Sequence, residues 1–224
     1  MKRRFFSLFI MAFTLASCAG YHFNTNNNPL IGYDIHSVAV PMFINRSVLP
    51  DLAAPMTREI TLTLSDYSGL KVLSGNKENT DAVLIGVIES KDYYNEVVTT
   101  SQTLFSGTEK LIKPSIGART DFYYPVQTTY ALALKVILIK NPSPEEIALA
   151  SSNLGELLKA NPKVVLVDTI NLSGTFSRVV GETSGSGSIG KTNFVKNKGI
   201  FEKSLQETAL NAAESFKQVV LNAF

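Results

Sequence analysis

The stretch Val126-Gln-Thr-Thr-Tyr-Ala-Leu-Ala-Leu-Lys-Val-Ile-Leu-Ile-Lys140 decides the fold. Its large apolar residues recur at every second position. Tyr130, Leu132, Leu134, Val136 and Leu138 face one way, and Thr129, Ala131, Ala133 and Lys135 face the other. A period of two is the signature of a strand whose successive side chains point to opposite faces. One large-apolar face against a smaller, more polar one predicts a sheet covered on one side.

Working outward, Lys163 to Val179 repeats the pattern, with Val164, Leu166, Ile170, Leu172 and Phe176 on one side. Between these strands, residues 141–162 form an insertion in which Pro144 to Lys159 reads as a short helix broken by Gly155. Upstream, Asp81 to Val98 reads as one long strand and Leu70 to Leu73 as a short one. Ser37 to Phe43 reads as the first strand, with Pro41 marking an edge or a strand end. Leu52, Met56, Ile60 and Leu64 recur every four residues, one face of a helix. Asp51 is its expected N-cap, Pro55 fits the first turn, and Ser68-Gly69 is its expected stop. The chain closes on a helix from about Ile200 to Asn222, with Phe201, Leu205, Ala209, Ala212, Phe216 and Val220 on its apolar face. Strand, helix, several strands, helix implies an α+β, two-layer sandwich. Two amphipathic helices pack on a mostly antiparallel or mixed sheet of about four to five strands.

Composition narrows the function. The 224 residues carry 21 Lys plus Arg against 19 Asp plus Glu, a formal charge of +2, too small to argue for nucleic acid. One Cys excludes an intrachain disulfide and a cysteine-only zinc site. That Cys has a context. Lys2, Arg3 and Arg4 form a basic head, and Phe5 to Leu15 is apolar apart from Ser7 and Thr14. Eleven helical residues reach about 16 Å, too short to span a bilayer and the right size for a signal-peptide core. The segment ends on Leu15-Ala16-Ser17-Cys18, which resembles the lipobox of bacterial lipoproteins.

That resemblance implies that residues 1–17 are a signal peptide removed on export, and that Cys18 carries covalent lipid, acyl chains such as palmitate. It implies an anchor in the membrane, and Ala19 implies sorting to the outer membrane. Residues 18–30 are then a lipidated Cys and a polar tether, and 31–224 a single domain. Without residues 1–17, Lys plus Arg falls to 18 against 19 acids, so any anion binding rests on local patches.

Candidate chemistry is sparse. Gly185-Ser-Gly-Ser-Ile-Gly-Lys-Thr192 matches the phosphate-binding pattern G-x-x-x-x-G-K-[ST]. It does not leave a strand directly, nothing periodic follows it, and export removes it from nucleotide, so a Gly/Ser-rich flexible loop is the better reading. His22 and His36 lack the spacing of metal ligands, and no G-x-S-x-G elbow occurs. Cys18 is thus the single site residue assigned; no catalytic, cofactor-binding or metal-binding residue is. The aperiodic segment 95–125 carries Phe105, Phe122, Tyr123 and Tyr124 with Lys110, Lys113 and Arg119. It reads either as an interaction segment or as a long hairpin packed on its own sheet.

Cys18-Ala-Gly-Tyr-His-Phe23, Ser37-Val-Ala-Val-Pro-Met-Phe-Ile-Asn-Arg-Ser47, the helix near Asp51 and Thr80-Asp-Ala-Val-Leu-Ile-Gly-Val-Ile-Glu-Ser90 follow one another in an order that resembles the lipopolysaccharide-assembly lipoprotein family LptE. The specific similarity covers roughly Cys18 to Ser90; beyond it only the order of elements agrees. The resemblance implies two helices on a sheet of about four strands and no enzymatic activity. Its implied partners are a large outer-membrane β-barrel of the LptD type, which the lipoprotein plugs, and lipopolysaccharide. The long 95–125 segment and the 141–162 insertion depart from the family, and none of its lipid-contacting residues transfers to a position here. A second reading, a lipid-anchored periplasmic activator of a cell-wall synthase, shares the anchor, the tether and the Val-Ala-Val strand.

Overall fold

The computed structural model describes residues 27–75, 80–90, 98–106, 121–159, 161–179 and 189–221. Seven strands form one mixed sheet: β1 (Ser37–Val40), β2 (Ile44–Arg46), β3 (Lys71–Ser74), β4 (Ala82–Ser90), β5 (Val98–Ser106), β6 (Asp121–Lys140) and β7 (Val164–Ser177). The helices are α1 (Ala53–Ser65), α2 (Pro144–Ser152), α3 (Leu154–Leu157) and α4 (Ile189–Ser215), the last running on into a π-helical turn, Phe216–Val220.

The seven strands occupy five lanes. β1 and β2 lie end to end, both parallel to β4: Val38 is opposite Ala82, and Ile44 opposite Val87. Pro41 separates them, because proline cannot donate to the ladder. β4 and β5 also lie end to end, both antiparallel to β6: Ser90 is opposite Leu132, and Val98 opposite Tyr130. The expected single strand Asp81 to Val98 is therefore two; the residues between, 91–97, lie outside those described. The lane order is β3, β1/β2, β4/β5, β6, β7, which places β6 at the hub and leaves β3 and β7 as edges.

One face of the sheet builds the main core. Tyr130, Leu132, Leu134, Val136 and Leu138 of β6 are all buried, as the period of two requires. They join Leu84 and Ile88 of β4, Ile170, Leu172 and Phe176 of β7, and the apolar faces of α1 and α4. Leu52, Met56, Ile60 and Leu64 line up along α1, each at most 1% exposed. The two helices are tied by a half-buried polar bridge: Gln206 Nε2 donates to Glu59 Oε1 at 2.8 Å, and Arg58 donates to the same carboxylate. Those donors, Arg58 first, hold the Glu59 carboxyl below its ordinary pKa against the opposing effect of burial.

The second face is covered at one end. Leu154 and Leu157 of α3, with Ile147 and Leu149 of α2, close a smaller core over Ala39, Val83, Ile85, Val87, Ile137 and Ile139. The insertion thus adds a local third layer to the two-layer sandwich, which explains why β4 is apolar on both faces. It is locked in place by Glu146. Ser143 and Glu146 form a capping box at the start of α2, and Glu146 also accepts from Asn161 at 2.9 Å and from Lys163 at 2.9 Å. The Ser143 backbone N–H, then Lys163 and Asn161, hold the Glu146 carboxyl down at about 2.

Three local expectations are corrected. Asp51 does not cap α1; Leu52 occupies that position without a side-chain bond, and Asp51 sits outside with a φ of 59°. The break between α2 and α3 falls at Asn153, whose side chain accepts the Glu156 N–H, and Gly155 lies inside α3. Val164 packs on the smaller core, away from Leu166, because a bulge between Leu138 and Ile139 shifts the β7 register and turns it over.

Candidate interaction surface

The far end of the molecule, opposite the start of β1, is where the sequence carries most unexplained residues. β5 and the first half of β6 pair as an arm, from Val98 opposite Tyr130 to Ser106 opposite Asp121, two-stranded past Gln127, where β7 ends at Ser177. Segment 95–125 is therefore a hairpin for the part described. In its register Phe105 is opposite Phe122, Leu104 opposite Tyr123 and Thr103 opposite Tyr124. A register shift after Ser101 leaves Val126 as the extra residue beside Pro125. Its carbonyl accepts the Arg178 N–H at 2.6 Å, so the bulge is tied to the end of β7.

The root of the arm is a cluster of hydroxyls and rings. Tyr130 Oη lies 2.7 Å from Thr208 Oγ1 and 2.9 Å from Ser204 Oγ, all three residues buried. Phe176 stands between Tyr130, with ring centroids 6.4 Å apart, and Phe201, at 5.2 Å and edge-on. Arg178 lays its guanidinium 4.6 Å from the Phe176 centroid and donates to Thr128 Oγ1 at 2.7 Å, and Thr128 meets Thr100 at 3.2 Å.

Helix α4 runs alongside this end. It begins at Ile189, eleven residues before the expected start, and so overturns one ground for setting aside Gly185 to Thr192: a helix does open at Gly190-Lys191-Thr192. The phosphate-loop architecture is still not met. β7 is an antiparallel edge strand, and the helix opens well after Ser177, whereas a phosphate loop joins the strand directly to the helix. Asn197 fixes the extended part of α4, its amide donating to the Val179 carbonyl at 3.2 Å and accepting the Val179 N–H at 2.8 Å. One turn before, Phe194 and Val195 stand 71% and 68% exposed. No apolar period announced this extension, and Phe194, Val195, Lys196, Lys198 and Gly199 are exposed.

Of the residues singled out by sequence, Cys18, His22, Lys110, Lys113, Arg119 and Gly185 to Ser188 lie outside those described. His36 is exposed, with its Nε2 3.4 Å from Asp34, and its backbone N–H binds Asp81, whose carboxyl this bond and Ser37 lower. Among the described residues no group of three His, Cys, Asp or Glu could hold a metal, and no helix is long and apolar enough to cross a membrane.

No protein-family model matches the chain, and no curated protein matches it. Solved structures of similar shape include the PelC dodecamer from Paraburkholderia phytofirmans (15% identity, 81% of this chain and 86% of that one, TM-score 0.36). Rare lipoprotein B from Shewanella oneidensis is 8% identical over 82% of this chain and 95% of its own, with a TM-score of 0.33. A lipoprotein from Neisseria meningitidis is 13% identical over 74% and 98%, with a TM-score of 0.32. At TM-scores below 0.5 these likenesses carry no functional argument.

Proposed function

We propose that this protein is a non-catalytic lipoprotein of the outer membrane, acylated on Cys18, that seats within a large LptD-type β-barrel and takes part in placing lipopolysaccharide. The observation that carries the reading is the position of the only Cys in the chain, at the end of Leu15-Ala16-Ser17-Cys18 behind a basic head and an eleven-residue apolar run. The ordered motifs from Cys18 to Ser90 support the family assignment, and the α+β sandwich is the architecture that family leads one to expect. The arm carries Phe105, Phe122, Tyr123 and Tyr124 in paired register, residue types that anchor protein interfaces.

Labelling with radioactive palmitate tests the anchor: the wild-type chain takes up label and Cys18→Ala does not. Affinity purification from detergent-solubilised outer membranes tests the partner. Recovery of a very large β-barrel supports the reading. Recovery of a peptidoglycan synthase instead replaces it with a lipid-anchored activator of cell-wall synthesis, and recovery of neither overturns it. ATP hydrolysis abolished by Lys191→Ala would overturn the non-catalytic assignment.

A further inference from the structure

Strand β7 is 14 residues long and, among the described residues, pairs with β6 alone. Edge strands are ordinarily kept short or guarded by Lys, Pro or a bulge, because their outward N–H and C=O groups recruit other strands. β7 contains neither Lys nor Pro, and the bulge in its pairing lies at the Val164 end. Hydrogen bonds fix which groups point outward. The Arg178 N–H donates to the Val126 carbonyl at 2.6 Å, so Arg178 faces β6. Backbone groups alternate along an antiparallel strand, so Thr169, Asn171, Ser173, Thr175 and Ser177 face away. Val179 follows the same alternation, its N–H and C=O both taken by Asn197 of α4. At the other end, Asp168 Oδ1 accepts the Thr169 N–H at 2.7 Å. Asp168 and Asn197 thus close the two ends. Between them, among the described residues, the outward groups of Asn171, Ser173, Thr175 and Ser177 meet no partner.

The charges at the two ends of this window are self-complementary. Asp168 and Arg178 alternate onto the same face as Phe176, under the Arg178 guanidinium, and Ser173 is midway between them in sequence. A two-fold axis at Ser173 sets β7 antiparallel to a copy of itself. Ser173 then lies opposite Ser173 of the second copy, Asn171 opposite Thr175, and Thr169 opposite Ser177. Asp168 comes opposite Arg178 of the second copy, once on each side of the axis, in the pair type where side chains approach most closely. A guanidinium has five N–H donors, and Arg178 directs one to Thr128 Oγ1. Turning to that guanidinium releases the Thr169 N–H for the Ser177 carbonyl of the second copy. We infer that the β7 edge joins a second copy of this chain, β7 against β7, in one continuous sheet across a two-fold axis. The inference rests on neither the lipid anchor nor the barrel, and describes the chain away from a barrel.

Sedimentation of the full chain carrying Cys18→Ala, across the micromolar range, should show a monomer–dimer equilibrium. Asp168→Arg alone and Arg178→Asp alone should each weaken the dimer about tenfold, since each turns two attractions into repulsions. Combining the two changes should restore it, which a mere loss of folding would not allow. The same Cys18→Ala chain has no other cysteine. In it, Ser173→Cys should cross-link the copies on mild oxidation, because facing Cα atoms in a hydrogen-bonded pair are about 5.5 Å apart. Thr175→Cys should not, since it faces Asn171 of the second copy. The cross-link decides the register if the Arg178 variants fail to fold. A monomer at every concentration overturns the proposal. So does a dimer indifferent to the Asp168 change, or one that cross-links equally at Thr175.

Discussion

The hydroxyl of Tyr130 on the central strand lies 2.7 Å from the hydroxyl of Thr208 on the long helix, and both are buried. Ser204 joins them one turn back, and Thr208 donates in turn to the Ser204 carbonyl at 2.9 Å. This network fixes the rotation of α4 about its axis, since only one helix face offers Ser204 and Thr208 four residues apart. Tyr130→Phe should cost about 1 kcal/mol, the net worth of a neutral hydrogen bond. Urea melts of Tyr130→Phe, Thr208→Val and the double variant check this. The double should cost less than the sum, because after the first change the second removes a bond already broken.

Gly174 sits beneath the ring of Tyr130, and Gly86 beneath the ring of Phe43; a Cβ at either would collide with the ring. Phe43 cannot retreat easily, because its N–H is held by Thr57 Oγ1 at 2.9 Å. Gly174→Ala and Gly86→Ala should each destabilise by about 1–3 kcal/mol through overpacking. Thermal melts should show Tm lowered by roughly 2–4 °C per kcal/mol in a chain of this size.

Acid should loosen the insertion first. The Glu146 carboxyl is held at about 2 in the folded protein, against an ordinary value of 4.5. A folded-state pKa below the unfolded one gives stability that is complete above 4.5 and fades as pH falls toward 2. Asp81, lowered by the His36 and Ser37 bonds, acts in the same direction. Glu146→Gln should lower Tm at pH 7, costing about 1–2 kcal/mol for the lost charged hydrogen bonds, and should flatten the fall in Tm below pH 4.5. A melt series from pH 7 to below pH 3 measures both.

Leu154 and Leu157 cover the second face of the sheet at 7% and 3% exposure. Leu157→Ala should cost about 2–5 kcal/mol. Replacing residues 143–160 by a short turn should leave a chain that binds a hydrophobic dye and self-associates, because Val83, Ile85, Ile137 and Ile139 would then face water. Size-exclusion chromatography and dye fluorescence report this directly.

The elements that bury a face were legible in the sequence, because burial imprints a period. The alternation at Tyr130 to Leu138 and the four-residue step from Leu52 to Leu64 map onto buried residues one for one. Three kinds of feature left no such imprint. Phe194, Val195, Lys196, Lys198 and Gly199 of α4 are exposed, and the stretch from Ile189 to Gly199 shows no apolar period, so nothing in it marks the helix start. β2 is three residues long, too short to carry a period, and lies past Phe43, where the first strand is expected to end. The smaller core is assembled from residues of β1, β4, β6 and the insertion, none of which signals its partners locally. The cluster at the arm root was half visible: Phe176 belongs to an alternating face, but Thr128 and Arg178 meet only through strand register.

The hub position of β6 has a consequence for the order in which the protein can be made. A chain emerges amino-terminus first, so β4 appears with apolar residues on both faces while its neighbour β6, paired from Ala82–Lys140 to Ser90–Leu132, has yet to be synthesised. Such non-local pairing folds slowly and leaves apolar surface open in the interval. The last piece, α4, supplies Leu205, Ala209, Ala212 and Phe216 to the main core, so that core cannot close until nearly the whole chain is present. Every shorter nascent chain depends on being shielded by something other than itself.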